Sequence, residues 1–290
     1  VITAIRERVS AEGNLPRERR WKLVLEPGTA STGYWRDLWQ YRELMLFLTW
    51  RDVVVRYKQT AIGIAWAVLR PAATLLVFVA FRHLVGIESA AVPESILVFA
   101  AVLPWQFFSV ALSESSASLI GNASLISKVY FPRLVVPVAA AMATFADLLI
   151  TIVLLALLMA WHGLMPGWPL IALPVFVLLA FGVALGPGLL FAALNVQYRD
   201  FRYVVPFIVQ FGLFISPVAF TFEDVPHELR PMYALNPMVG VIEGFRWSIF
   251  GGRVAFHADA VALSAAVTAL MLIAGVWYFR RMERQFADVI

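Results

Sequence analysis

"LLITIVLLALLMAWHGLMPGWPLIALPVFVLLAFGVALGPGLLFAALNVQY", residues 148–198, contains no Asp, Glu, Lys or Arg. A bilayer core about 30 Å thick is crossed by about 20 helical residues. This run is twice that length and is broken at 162–169 by "HGLMPGWP", so it reads as a hairpin of two membrane-spanning helices. Outward from it, "SILVFAAVLPWQFFSVALS" (95–113) is another uncharged stretch of spanning length. The same rule predicts six spans, at about 61–85, 95–119, 134–160, 169–196, 204–222 and 258–279.

Composition agrees. The 290-residue chain is 61% hydrophobic and only 14% charged, whereas a soluble domain carries about 25% charged residues. With no cysteine, disulfides and thiol chemistry are excluded. His83, His162, His227 and His257 are scattered without metal-ligand spacing. The net charge of +4 is unevenly placed, because eleven of the 23 Lys/Arg fall in the first 58 residues. Lipid headgroups, rather than nucleic acid, are the expected partner of that basic end. No signal peptide is expected, since the first sustained apolar stretch starts near Ala61. Six spans put both termini on one side, which then receives eighteen Lys/Arg; the other side receives only Arg230, Arg246 and Arg253. The positive-inside rule makes the richer side, and both termini, cytoplasmic.

Two segments fit neither span nor loop. Residues 36–58, "RDLWQYRELMLFLTWRDVVVRYK", are aromatic, basic and too interrupted by charge to cross. They read as a helix lying in the interface, the alternative being a soluble helix on a partner. The expected division is therefore a leader with interfacial helix at 1–60 and a membrane domain at 61–290. Residues 228–252 are too apolar for a free outer loop and are broken at Asn236-Pro237. They read as re-entrant helices, or alternatively as a helical cap over the outer face. Backbone of that kind enters a membrane only where protein or a water-filled cavity surrounds it.

Residues that could harness energy are few. The three lysines follow Trp21, Tyr57 and Ser127, so no Gly-Lys-Ser/Thr phosphate loop exists. Glu223-Asp224 read as a solvated turn. Ionisable residues inside spans are functional suspects: Arg70, Glu114 and Asp147. Arg70 and Glu114 are expected at equal depth, about 9 Å from the cytoplasmic ends of their helices. They are predicted to form an ion pair, because an unpaired charge there is destabilising. An ion-coupled carrier would show more intramembrane acids.

On the cytoplasmic side, between the second and third spans, lies "NASLISKVYFPR" (122–133). Asn122 can cap a short helix that Pro132 would end. Leu125, Ile126, Val129 and Tyr130 would then share one apolar face, opposite Ser124, Ser127 and Lys128.

Four segments together carry a family likeness: "ELMLFLTWRDVVVRYKQTAIGIAWAVLRP" (43–71), "LPWQFFSVALSESSASLIGNASLISKVYFPRLVVPVA" (103–139), "ALNVQYRDFRYVVPFIVQFGLFISPVAF" (193–220) and "LNPMVGVIEGFRWSIFG" (235–251). In this order they resemble the membrane subunit of type-2 ABC exporters for bacterial cell-surface polysaccharides (O-antigen, capsule and teichoic acid). The resemblance implies an all-α polytopic protein of the inner membrane with six transmembrane helices, an N-terminal interfacial helix, a cytoplasmic coupling helix and re-entrant outer gate helices before the last span. It implies a homodimer, two copies of a separate ATPase subunit that bind ATP and Mg, and a lipid-linked polysaccharide as cargo. No catalytic residue, cofactor or metal is then expected on this chain. The resemblance assigns coupling to Ser124, Leu125, Ile126, Lys128, Val129, Tyr130, Phe131 and Arg133. It assigns the outer gate to Tyr233, Asn236, Pro237, Glu243 and Arg246. The first and fifth spans are expected to border the channel. There Phe78, Phe81, Phe207, Phe211 and Phe214 offer faces on which sugar rings can slide; Phe207, Phe211 and Phe214 share a helical face. A drug or lipid exporter of the same superfamily is the alternative, with an ion-coupled carrier further off.

Overall fold

The computed structural model describes residues 34–58, 63–86, 92–198, 200–251 and 253–286, where all regular structure is helical. Residues 1–33 of the basic leader and 61–62 of the expected first span lie outside the described residues. So do Arg199 and residue 252.

Helices α1 (Tyr34–Gln40) and α2 (Arg42–Lys58) precede α3 (Gly63–Val85) and α4 (Glu94–Gly121). A short α5 (Ala123–Lys128) leads into α6 (Val135–Ala143) and α7 (Phe145–Trp161). The 3-10 turn Trp168–Ala172 opens α8 (Leu173–Gln197), which α9 (Phe201–Ile215) follows. Two short helices, α10 (Arg230–Tyr233) and α11 (Pro237–Phe250), precede α12 (Ala258–Met282), which ends in the 3-10 turn Glu283–Gln285.

Among the described residues, five segments are long and apolar enough to cross a membrane: Ala65–Val85, Glu94–Gly121, Val135–Trp161, Trp168–Gln197 and Ala258–Met282. The hairpin read at 148–198 forms. Its break is a helix-ending motif in which Gly163 adopts a left-handed φ of 64°. There Gly163 N–H donates to Ala160 and Leu164 N–H to Met159, satisfying carbonyls that the helix end would orphan.

The third expected span forms over Val135–Trp161, as α6 and α7 joined at the single non-helical residue Thr144; only the fifth falls short of its predicted length. The Thr144 hydroxyl donates to the Ala141 carbonyl at 2.7 Å, and its N–H bonds the same carbonyl. This tightens the turn and interrupts the ladder. The fifth, predicted over 204–222, ends at Ile215 after 15 helical residues, about 22 Å of rise. Pro217 lies just beyond, and the residue before a proline is driven out of the helical region; Ser216 is accordingly extended, at φ −89° and ψ 152°.

The core is built on α4, buried along most of its length and packed mainly against α8. Helices α8 and α12 cross so closely that a Cβ at Gly275 would lie 2.1 Å from the Gly186 carbonyl oxygen. By contrast α3 is mostly exposed, with Leu76, Val77 and Leu84 uncovered. Nearly all of α11 is buried, against α4, α8 and α12.

Candidate functional site

At the α2 end of the molecule, charge gathers around Arg56. Its guanidinium bonds Glu114 at 2.8 Å and also Asp147. The Tyr57 hydroxyl donates to the other Asp147 oxygen. Burial, and then the Asp147 carboxylate, push the Tyr57 hydroxyl above the usual phenol range. The predicted Arg70–Glu114 pair does not form: Glu114 is held by Arg56, and Arg70 is exposed. Sequence spacing placed Arg70 and Glu114 at equal depth, but α2 packs alongside and brings a nearer cation. Arg70 instead borders, with Arg56, Tyr57, Trp66, Glu114 and Asp147, a half-open cavity of about 480 Å³.

The segment after α4 is fixed on two sides. Asn122 does not cap α5. Its amide donates back to the Ser118 carbonyl at 2.9 Å, and its oxygen accepts from Arg51 of α2 at 2.8 Å. At the far end, the Arg133 N–H donates to Glu283 Oε1 at 2.7 Å, and the Arg133 guanidinium donates to the Glu283 carbonyl. The predicted common face of Leu125, Ile126, Val129 and Tyr130 is not present, because α5 ends at Lys128 and Val129 is extended. Ile126 and Phe131 turn into the protein. What remains exposed is Ser124, Ser127, Lys128, Val129 and Tyr130, the last at 68%.

The five aromatics divide into two groups. Phe78, Phe81 and Phe214, with Val77, Leu213 and Phe220, line an apolar groove of about 520 Å³ between α3 and α9. Phe78 is buried there, whereas Phe81 and Phe214 are exposed. Phe207 and Phe211 pack with their rings tilted and centroids 4.3 Å apart on an uncovered side of α9, which meets Trp105 at Gly212.

At the other end, two buried arginines grip the chain leaving α9. Arg82 donates to the Ala219 carbonyl at 2.8 Å and pairs with Glu94 at 2.8 Å. Arg246 donates to the carbonyls of Phe220 at 3.1 Å and Val218 at 3.3 Å, and meets Glu243 at 3.3 Å. Buried carbonyls outside a helix need partners, and a buried guanidinium needs acceptors; here each supplies the other. His257 Nδ1 lies 3.3 Å from Glu243 Oε2, a charge contact rather than an aligned hydrogen bond. This contact raises the histidine pKa against the opposing effect of burial. Asn236 caps α11 by accepting from Met238 N–H at 3.0 Å and donates to Ser216 at 3.1 Å. Pro237 opens the helix, and Tyr233 stacks on Phe222.

Arg56, Arg82, Glu94, His257 and Glu283 were not among the predicted site residues. For Arg82 and Glu94 a signal existed, since they flank one short loop between apolar runs. For Arg56 and Glu283 none did, because each meets a partner far away in sequence.

The sequence profile of the ABC-2 type transporter membrane family matches residues 43–250. The chain is 28% identical over 258 residues to the O-antigen export system permease protein RfbA of Myxococcus xanthus, covering 88% of this chain and 98% of that protein. A second RfbA, from Klebsiella pneumoniae, is 24% identical over 256 residues, with 86% and 95% covered. The polysialic acid transport protein KpsM of Escherichia coli is 23% identical over 253 residues, with 82% and 92% covered.

Proposed function

The chain belongs to the ABC-2 type transporter membrane family, and on that premise we propose that it is the permease of an ATP-driven exporter of lipid-linked polysaccharide, O-antigen in particular. The observation that carries this reading is similarity along nearly the whole of two O-antigen export permeases, with capsule-type relatives behind them. The proposed assembly is a homodimer with two ATPase subunits bearing ATP and Mg, in the inner membrane with both termini cytoplasmic. The fifth span is α9 together with the irregular, turning chain of residues 216–220 that follows it. The carbonyls of that stretch are supplied with partners by Arg82 and Arg246, as backbone at membrane depth requires. Helices α10 and α11 form the outer gate. The exposed surface around Lys128, Val129 and Tyr130 docks on the ATPase. The uncovered aromatics of α3 and α9 border the path of the sugar chain.

Deletion of the gene is expected to remove surface polysaccharide and leave lipid-linked polymer inside the cell, and re-expression to restore export. Restoration is expected to fail with Val129→Glu, which reaches the membrane normally but no longer stimulates the ATPase subunit. Surface glycan unchanged by deletion would direct the assignment to a drug or lipid exporter. Transport without an ATPase would point to a carrier.

A further inference from the structure

Motion entering at residues 122–133 has two obvious routes, the chain-connected helices α4 and α6. A third is built by a residue far away in sequence. Glu283 receives the Arg133 N–H on its carboxylate at 2.7 Å and the Arg133 guanidinium on its own carbonyl. The two residues are thus joined twice, through opposite parts of each. On either side the clasp is anchored: Phe131 and Leu134 are buried next to Arg133, and Phe286 packs edge-on against Phe279 of α12. A hydrogen bond in which one partner is ionised is about twice as strong as a neutral one, and this one is held between anchored neighbours.

The helix so gripped traverses the molecule. Its 25 residues rise about 37 Å. Nearer its gripped end it touches α8 backbone to backbone at Gly275 and Gly186, which leaves little room for independent sliding. At its other end Ser264 Oγ accepts the Gly240 N–H of α11 at 2.9 Å, and His257, which precedes the helix, meets Glu243 of α11.

We propose that Glu283 is a positioning residue: it fastens the coupling segment to the last helix, so that ATP-driven motion of that segment is carried along α12 to the outer helices. The proposal rests on the reading of residues 122–133 as the ATPase-docking segment. It does not depend on which glycan is exported.

The chain has no cysteine, so a spin label at Ser127→Cys reports the segment alone. In the full-length protein in lipid nanodiscs, Glu283→Ala is expected to make this label markedly more mobile. Glu283→Gln, whose amide oxygen still accepts the Arg133 N–H, is expected to restore the wild-type spectrum. In the complex with its ATPase, Glu283→Ala is expected to raise the ATP hydrolysed per glycan exported by about five-fold or more, the low end of typical inter-site coupling, with Glu283→Gln close to wild type. A wild-type spectrum in Glu283→Ala overturns the clasp. A mobile label with an unchanged ATP-to-glycan ratio overturns its role in coupling. If Glu283→Ala, which removes the carboxylate bond, does not reach the membrane, Arg133→Ala removes the other bond, from the guanidinium to the Glu283 carbonyl, and is likewise expected to loosen the label; an unaltered spectrum there overturns the proposal equally. If the wild-type chain stimulates no ATPase, the export reading has failed, while the spectral arm still decides the clasp.

Discussion

Single side chains show how a membrane protein with few charges uses each of them. Arg56 serves two carboxylates, and removing it would leave Glu114 and Asp147 facing each other across a half-open cavity. Arg56→Ala is therefore expected to lower stability by about 2 kcal/mol, typical for a hydrogen bond to a charged group. Arg70→Ala should shift it by no more than about 0.5 kcal/mol, as at an exposed site without such a network. Thermal unfolding of the two variants in detergent separates the observed cluster from the predicted Arg70–Glu114 pair. His257 gives a pH signature. Its contact with Glu243 raises its pKa above the ordinary 6.5. Its stabilisation is thus complete below 6.5 and is lost as pH rises through the raised value. The unfolding temperature is expected to fall across that window in the wild type and to run flatter in His257→Ala; superimposable profiles would show that the contact carries no charge coupling.

Among the elements, the crossing of α8 and α12 is the most demanding. A Cβ at Gly275 would meet backbone, not a side chain that could swing aside. Gly275→Ala is accordingly expected to destabilise by about 3 kcal/mol, the upper end of ordinary overpacking. At Gly121 nothing lies within 4 Å of an added Cβ, so Gly121→Ala should be neutral or stabilise by about 0.5 kcal/mol through the unfolded chain. Chemical or thermal unfolding of both variants checks the pair. The elements also divide by how well their order could be read. Helices α3, α4, α8 and α12 were legible because length and apolarity are properties of the run itself. The division at Thr144 and the end of α9 at Ile215 were not read, although Thr144 and Pro217 stand in the sequence. An apolar-length rule is blind to one hydroxyl or one proline inside a greasy stretch. The short α5 was placed correctly between α4 and α6, but the face it shows was not, since two turns of spacing cannot say that Ile126 has a core to enter.

At the scale of the whole molecule, burial separates a core from a flank. Helix α4 is enclosed, while α3 and α9 leave aromatic and aliphatic side chains uncovered around an apolar groove. In a bilayer such faces meet lipid or, in the proposed homodimer, the second copy and the passing sugar chain. Composition and the spacing of apolar runs determined, without coordinates, that this chain lives in a membrane as a set of helices. Hydrocarbon thickness sets one length and admits no unpaired backbone, so the run lengths are close to a direct record of the fold. Motif order along the chain likewise pointed to the exporter family before any geometry was known. Tertiary structure alone decided which partners the charged residues find: Arg56 with Glu114 and Asp147, Arg82 and Arg246 with the carbonyls after Ser216, and Arg133 with Glu283 through the main chain of each. Each of these joins residues distant in sequence, and a low-dielectric interior selects partners by position in space, which helical periodicity within a single segment does not encode.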